Sequence, residues 1–121
     1  MEWDKLDHAE SYLLFPENLG AYLSIDETSL SQGELYTILT NKEAKGKKGS
    51  IVAIIQGVKS DYINNVLNQL PYSQRKKVKE VTLDMAGNME RIVKKSFPKA
   101  SYVTDRFHVQ KLAYEAIQEL R

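Results

Sequence analysis

The chain has no cysteine among its 121 residues, which excludes disulfide bonds and thiolate metal sites. It also lacks any stretch near the ~20 consecutive apolar residues of a membrane-spanning helix. Its first ten residues, MEWDKLDHAE, lack the basic and then apolar profile of a secretory signal. The net charge is only +1, so composition gives no sign of a nucleic-acid partner. These absences predict a protein of the reducing cytoplasm without a membrane partner.

What the chain does contain is the composition of one globular domain. Hydrophobic residues make up 42% and charged residues 27%, which are ordinary values for such a domain. The chain is long enough to bury a sizeable core. Basic residues cluster locally, and we interpret both clusters as solvent-exposed loops or helix ends rather than binding patches. Their members are Lys45, Lys47 and Lys48 in the first cluster and Arg75, Lys76, Lys77 and Lys79 in the second.

The first half of the chain has the hydrophobic pattern of β-strands. Residues 22–26 alternate between apolar and polar, residues 35–40 are rich in β-forming side chains, and residues 51–55 are continuously apolar. Short connections between these three strands predict an antiparallel meander. We treat residues 1–20 as a leader segment that holds a short helix, and residues 21–121 as the domain proper.

The second half alternates between helical spacing and short strands. Ile63, Val66, Leu67 and Leu70 share one helical face, and a second helix and a final helix follow the same spacing. Between them, residues 81–84 and 102–105 have strand character. The predicted order is therefore β-β-β-α-β-α-β-α, an α/β domain with a mixed sheet and helices on the sheet faces. This order matches the ribonuclease H-like fold, although other α/β arrangements share parts of it.

Two aspartates follow buried strand residues in similar local sequences. Asp26 follows Ile25 in SID, and Asp84 follows Leu83 in TLD. If the two strands are neighbours, both carboxylates lie on one surface and each raises the pKa of the other. A divalent cation relieves this repulsion, and Mg²⁺ or Mn²⁺ suits carboxylate oxygens. The alternative is that each aspartate only caps a turn or a helix, but the pair in this element order favours a metal site.

A third aspartate stands before the last helix. Asp105 and His108 form an Asp-x-x-His sequence there, and two interpretations stay open. Asp105 either caps the helix with His108 in its first turn, or both residues flank the metal site and orient water or DNA. In the second case Arg106 and Lys111 are available for phosphate contacts. Glu27 points to the opposite face from Asp26, so we do not expect it to be a metal ligand.

Three longer stretches carry a family resemblance. SIDETSLSQGELYTILTN, VKEVTLDMAGNM and FPKASYVTDRFHVQKLAYEA resemble the catalytic domain of bacterial insertion-sequence transposases of the DDE class, ISL-three type. The resemblance runs from about Leu19 to the C-terminus. It implies a ribonuclease H-like fold, Asp26 and Asp84 as the first and second catalytic aspartates, and Mg²⁺ or Mn²⁺ as cofactor. Asp105 and His108 match an Asp-x-x-His signature of several transposase groups.

The resemblance also implies residues that this chain does not supply. The third catalytic residue of the family, a glutamate, is expected on a helix further downstream. Glu115 and Glu119 lie on the last predicted helix, but we favour a missing residue over either of them. The N-terminal DNA-binding region of the family is absent as well. We therefore expect a fragment that binds metal weakly and has little or no strand-transfer activity alone.

The intact enzyme is expected to bind transposon ends and target DNA. Water would attack a phosphodiester at the transposon end, and the released 3′-hydroxyl would attack the target. Self-association is expected too, because truncation exposes apolar surface. Two alternatives remain: another kind of ribonuclease H-like nuclease, which needs further carboxylates near Asp26 and Asp84, and a non-catalytic interaction module or transposase remnant.

Overall fold

Ten helices and strands build the part of the chain that the structure describes. The structure is a computed structural model, and it describes residues 12–29, 33–44, 49–84 and 89–118, without the side chains of Arg106 and His108. The elements are β1 (Tyr12–Leu14), β2 (Tyr22–Ser29), β3 (Leu35–Asn41), β4 (Ile51–Gln56), α1 (Ser60–Leu67), α2 (Tyr72–Arg75), β5 (Glu80–Leu83), α3 (Met89–Ser96), β6 (Ser101–Thr104) and α4 (Arg106–Gln118). Single 3₁₀ turns cover Pro16–Asn18 and Lys42–Ala44.

The strands form one mixed sheet in the order β1-β4-β3-β2-β5-β6. Strands β2, β3 and β4 pair antiparallel, so the predicted meander is confirmed. Strand β5 runs parallel to β2, and β6 runs parallel to β5. Parallel neighbours need a crossover connection, which α1 with α2 supplies before β5 and α3 supplies before β6. The predicted mixed α/β class is therefore confirmed.

The predicted order of elements omits two short ones. Residues Tyr12–Leu14, where the sequence suggested a helix, form an edge strand that pairs antiparallel with β4. The four-residue helix α2 follows Pro71. The remaining elements occur in the predicted order. The division of the chain at residue 20 stays a prediction, and residues 1–11 lie outside the described part.

The two faces of the sheet pack against different helices. Side chains alternate between the faces of a strand, and Leu23 and Ile25 of β2 belong to a core under α1 and α3 that includes Ile63, Ile92 and Phe97. The opposite face carries a second core, formed by Tyr36, Ile38, Ile51 and Ile54 with Ala113, Ala116 and Ile117 of α4. Helix α4 also contacts β2 and β5. Ser24 and Asp26 alternate with Leu23 and Ile25 and so lie on the α4 side.

The second basic cluster is not wholly exposed, as the sequence had suggested. Arg75 is only 9% exposed. Its Nε donates a hydrogen bond to the carbonyl oxygen of Leu70 at 3.0 Å, and its Nη1 donates to that of Ser96 at 2.8 Å. The side chain therefore joins the turn after α1 to the C-terminal end of α3, where helix carbonyls lack intrahelical partners. Lys76, Lys77 and Lys79 are exposed, as predicted.

No helix in the described residues is both long enough and apolar enough to span a membrane.

Candidate functional site

The parallel pairing of β2 with β5 brings Asp26 and Asp84 to the same level of the sheet. Ile25 pairs with Leu83 in this register, and an aspartate is the next residue on each strand. Adjacent strands lie about 4.8 Å apart, so the two aspartates lie side by side at the level where β5 ends. Strand β5 ends at Leu83, whereas β2 continues to Ser29.

The prediction that a strand ends at Asp26 is wrong. Asp26 pairs with Ile38, and β3 remains the antiparallel partner of β2 as far as Ser29. The continued pairing keeps the backbone of β2 hydrogen-bonded beyond Asp26 on the β3 side. On the other side β5 ends at Leu83, one position before the level of Asp26.

Asp26 is a buried carboxyl group with an altered acidity. It is 6% exposed, and its pKa is raised from the ordinary value of 3.8 to about 6. Burial is the largest cause, and the charges of Asp84 and Glu27 raise the pKa further. A hydrogen bond from the backbone N–H of Glu27 acts in the opposite direction. The contribution of Asp84 shows that the two carboxyl groups are within electrostatic reach of each other.

A strip of buried hydroxyl groups lies next to the aspartates on the α4 side of the sheet. Ser24 and Thr82 are paired across β2 and β5 and are 2% and 1% exposed. The Nζ of Lys42 donates a hydrogen bond to Thr82 Oγ1 at 2.7 Å and lies 3.7 Å from the Glu80 carboxylate. The sequence indicated the two hydroxyl residues because each stands two positions before an aspartate. It did not indicate Lys42, since this contact joins residues 40 positions apart.

Asp105 occupies the matching position on the third parallel strand. Leu83 pairs with Thr104, and the backbone N–H of Asp105 donates to the Leu83 carbonyl oxygen at 3.0 Å. The Asp105 carbonyl oxygen accepts from the N–H of Val109 at 3.1 Å, which makes Asp105 the N-cap residue of α4. Its side chain is exposed. The backbone thus has the geometry of the helix-capping interpretation, while a role of the side chain in the site stays a prediction.

The remaining candidate residues lie on or near α4. Lys111 is exposed and Glu115 is half-buried. Arg106 and His108 belong to the first turn of α4, but their side chains, like all of Glu119, lie outside the described residues. Throughout residues 12–29, 33–44, 49–84 and 89–118, no three or more Asp, Glu or His side chains come together in a group that could hold a metal ion. Neither Asp105 nor Glu115 therefore joins Asp26 and Asp84 as a third ligand there.

Comparison with known proteins gives the family. A family model described as "Transposase", that of DDE transposases of the ISL-three type, matches residues 23–121. The chain belongs to this transposase family. None of the curated proteins matches it at a significant level. The resemblance found in the sequence is thereby confirmed, and the six-stranded mixed sheet of the transposase is consistent with a ribonuclease H-like domain. Membership in this family implies a DNA substrate.

The two aspartates of the transposase suit a hard divalent cation. Carboxylate oxygens are preferred ligands of Mg²⁺ and Mn²⁺, and Mg²⁺ is commonly held by one or two protein carboxylates. The raised pKa of Asp26 means that its charged form lacks adequate compensation from the protein itself. A cation supplies that compensation. The donor set is therefore chemically suitable for the metal that DDE transposases generally use.

Proposed function

We propose that the chain is part of a catalytic domain that cleaves and joins DNA, and that Asp26 and Asp84 together hold Mg²⁺ or Mn²⁺. The observation that carries the proposal is the parallel register of Ile25 with Leu83, from which the two aspartates continue side by side. The raised pKa of Asp26, to which Asp84 contributes, supports it further. Functional sites commonly keep ionisable groups in such unfavourable surroundings.

Each residue of the site has a defined task in this proposal. When bound, the cation would activate the attacking oxygen and stabilise charge on the leaving oxygen of a phosphodiester. Asp26 is fixed by strand pairing on the β3 side and is shielded from water by burial. The backbone N–H of Asp105 holds the Leu83 carbonyl oxygen and so fixes the backbone next to Asp84. Lys111, and by its sequence position Arg106, contact DNA phosphates, which orient the duplex without reading its sequence.

The proposed metal centre needs a third acidic ligand besides Asp26 and Asp84. In the part of the chain that the structure describes, no third carboxylate completes a metal-binding group. We therefore propose that the 121-residue chain binds the cation weakly and transfers strands little by itself. The same observation disfavours another ribonuclease H-like nuclease whose carboxylates all lie in these residues.

Calorimetric titration with Mn²⁺ tests the metal-binding pair. The parent chain is expected to bind weakly, Asp84→Asn is expected to lose binding, and Asp61→Asn is expected to behave like the parent. Asp61 is a suitable control because it is exposed on α1, away from the pair. Equal Mn²⁺ binding by the parent and Asp84→Asn would contradict the proposed site.

A nicking assay tests the missing third ligand. A labelled DNA duplex is incubated with the chain and Mn²⁺, and little or no nicking is expected. Robust nicking that disappears in Asp84→Asn would keep the carboxylate pair but contradict the proposal that the described residues supply no third acid. Self-association is also proposed, and sedimentation at several protein concentrations tests it: metal-independent dimers without any metal affinity would favour a non-catalytic module.

A further inference from the structure

The solvent-exposed face of α4 carries two aromatic side chains. Phe107 is 82% exposed and Tyr114 is 66% exposed, the two highest values for large apolar side chains among the described residues. Gln110, Lys111 and Gln118 are also exposed. We call these five residues the aromatic face. The opposite side of the same helix is buried against the sheet through Val109, Leu112, Ala113, Ala116 and Ile117, so neither ring is needed to hold the helix in place.

The spacing of the two rings places them on the same side of the helix. They are seven residues apart, which corresponds to two helical turns and to about 10 Å along the axis. Bases in a stacked strand are about 3.4 Å apart, so the rings can each contact a different base of one strand. Lys111 lies between them in sequence and on the same exposed side.

The charge and position of the aromatic face indicate a nucleic acid. The face contains one lysine, and the half-buried Glu115 borders it one turn away from Lys111. Proteins bind single-stranded DNA with surfaces that combine basic and aromatic side chains. A protein-binding surface is the alternative, because Tyr and Phe are enriched at protein interfaces although lysine is depleted there. The face begins two residues after Asp105, whose N–H is bonded to the residue before Asp84. It therefore extends directly from the end of the sheet that carries Asp26 and Asp84.

We propose that the aromatic face binds unpaired bases of a single-stranded DNA segment beside the cleavage site, with Phe107 and Tyr114 stacking on bases and Lys111 contacting a phosphate. This inference rests on the proposed DNA-cleaving function, because that function brings DNA to the end of the parallel strands that carries Asp26 and Asp84. Bases that are unpaired at a cleaved DNA end have exposed ring faces on which aromatic side chains can stack. Gln110 and Gln118 offer amide groups to base edges on the same surface.

Fluorescence anisotropy with a labelled 12-nucleotide oligothymidine and a duplex of equal length tests the inference. The measurement is made with the full 121-residue chain in EDTA, so that it does not depend on the metal site. The double variant F107A/Y114A is expected to lose about tenfold or more in affinity for the single strand, with a smaller change for the duplex. Lys111→Ala is expected to weaken binding of both and to lower the salt dependence by about one charge.

A second variant separates stacking from general apolar contact. F107L/Y114L keeps apolar side chains of similar reach but removes both rings, and it is expected to lose single-strand affinity as F107A/Y114A does. Tyr62→Ala, which removes a partly exposed ring from α1, is expected to bind like the parent. Circular dichroism checks that all variants keep their helix content.

Three results would overturn the inference. They are unchanged single-strand affinity in F107A/Y114A, parent-like affinity in F107L/Y114L, or a dimer of the parent that F107A/Y114A converts to a monomer. If the aromatic variants lose single-strand affinity while the parent does not bind Mn²⁺, the metal proposal fails and this inference stands. If the parent binds Mn²⁺ while the aromatic variants keep their single-strand affinity, only this inference fails.

Discussion

Ile25 on β2 and Leu83 on β5 form a parallel pair, and an aspartate follows each of them. The pairing places two carboxyl groups at the C-terminal end of β5, beside the longer β2. Asp26 is buried there, with a pKa raised to about 6. Burial of a carboxylate without a compensating cation lowers stability. Asp26 therefore destabilises the metal-free protein at a position that suits a metal ion.

Replacement of Asp26 by asparagine should stabilise the metal-free protein at neutral pH. The folded pKa of about 6 lies above the ordinary 3.8, so the folded state binds the proton more tightly than the unfolded state. The contribution of Asp26 to stability is therefore fully present below pH ~4 and is lost as pH rises through ~6. At pH 7.5 in EDTA, Asp26→Asn should raise the free energy of unfolding by about 1–3 kcal/mol, measured by urea denaturation. At pH 4 the difference should be close to zero.

The matched control for this experiment is Asp61→Asn. Asp61 is an exposed carboxylate in the first turn of α1, so its replacement should not reproduce the stabilisation at pH 7.5. Addition of Mn²⁺ at pH 7.5 should stabilise the parent and leave Asp26→Asn unchanged. The quantity to compare is the free energy of unfolding of the parent minus that of Asp26→Asn. If this difference is the same at pH 4 and at pH 7.5, Asp26 is not held in unfavourable surroundings.

Arg75 should be a structural residue rather than a DNA contact. Arg75→Met removes the donors that satisfy the carbonyl oxygens of Leu70 and Ser96, and loss of these buried bonds should lower the free energy of unfolding by about 2–4 kcal/mol. Lys76→Met, at the exposed next position, should change it by less than about 0.5 kcal/mol. Urea denaturation measures both. If the two variants unfold at the same midpoint, the buried bonds of Arg75 do not contribute to stability.

Asn64 should stabilise the contact between α1 and α3. It is 4% exposed, and its Nδ2 donates to the Ile92 carbonyl oxygen at 3.0 Å and to Ser96 Oγ at 2.6 Å. Asn64→Ala should lower the free energy of unfolding by about 1–3 kcal/mol, since it removes two buried hydrogen bonds between the helices. Thermal unfolding of Asn64→Ala and of Asn65→Ala, whose side chain is exposed, provides the comparison. A smaller effect at position 64 than at position 65 would exclude this role.

Hydrophobic periodicity predicted most of the fold because the main elements bury one continuous face or stripe. Strand β4 is apolar on both faces, and α4 has an apolar stripe of two to three turns, so local sequence alone distinguishes them. Strand β1 was missed because its three residues are only half-buried and gain their structure from pairing with β4. That pairing joins Tyr12 to Ile55, and residues so far apart in sequence leave no local pattern that predicts their pairing.

The site was predictable in part from local sequence, because Asp26 and Asp84 each stand after a buried aliphatic residue. Local sequence left open whether β2 and β5 are neighbours, and the structure shows that they pair. What could not be predicted depends on contacts between distant residues. The burial of Arg75 requires carbonyl groups of α3 and of the turn after α1. The hydrogen bond of Lys42 requires its side chain to reach from the turn after β3 to Thr82 on β5. A basic side chain in sequence gives no indication of such partners.

Anomalous diffraction from crystals soaked in Mn²⁺ is the most direct test of the central claim, that Asp26 and Asp84 hold one cation between them. The account predicts an anomalous peak about 2.2 Å from a carboxylate oxygen of each residue, and its loss in Asp84→Asn crystals. Carboxyl groups on opposite faces of the sheet, or a dozen ångströms apart (roughly three times the separation of ions in a two-metal centre), would contradict it.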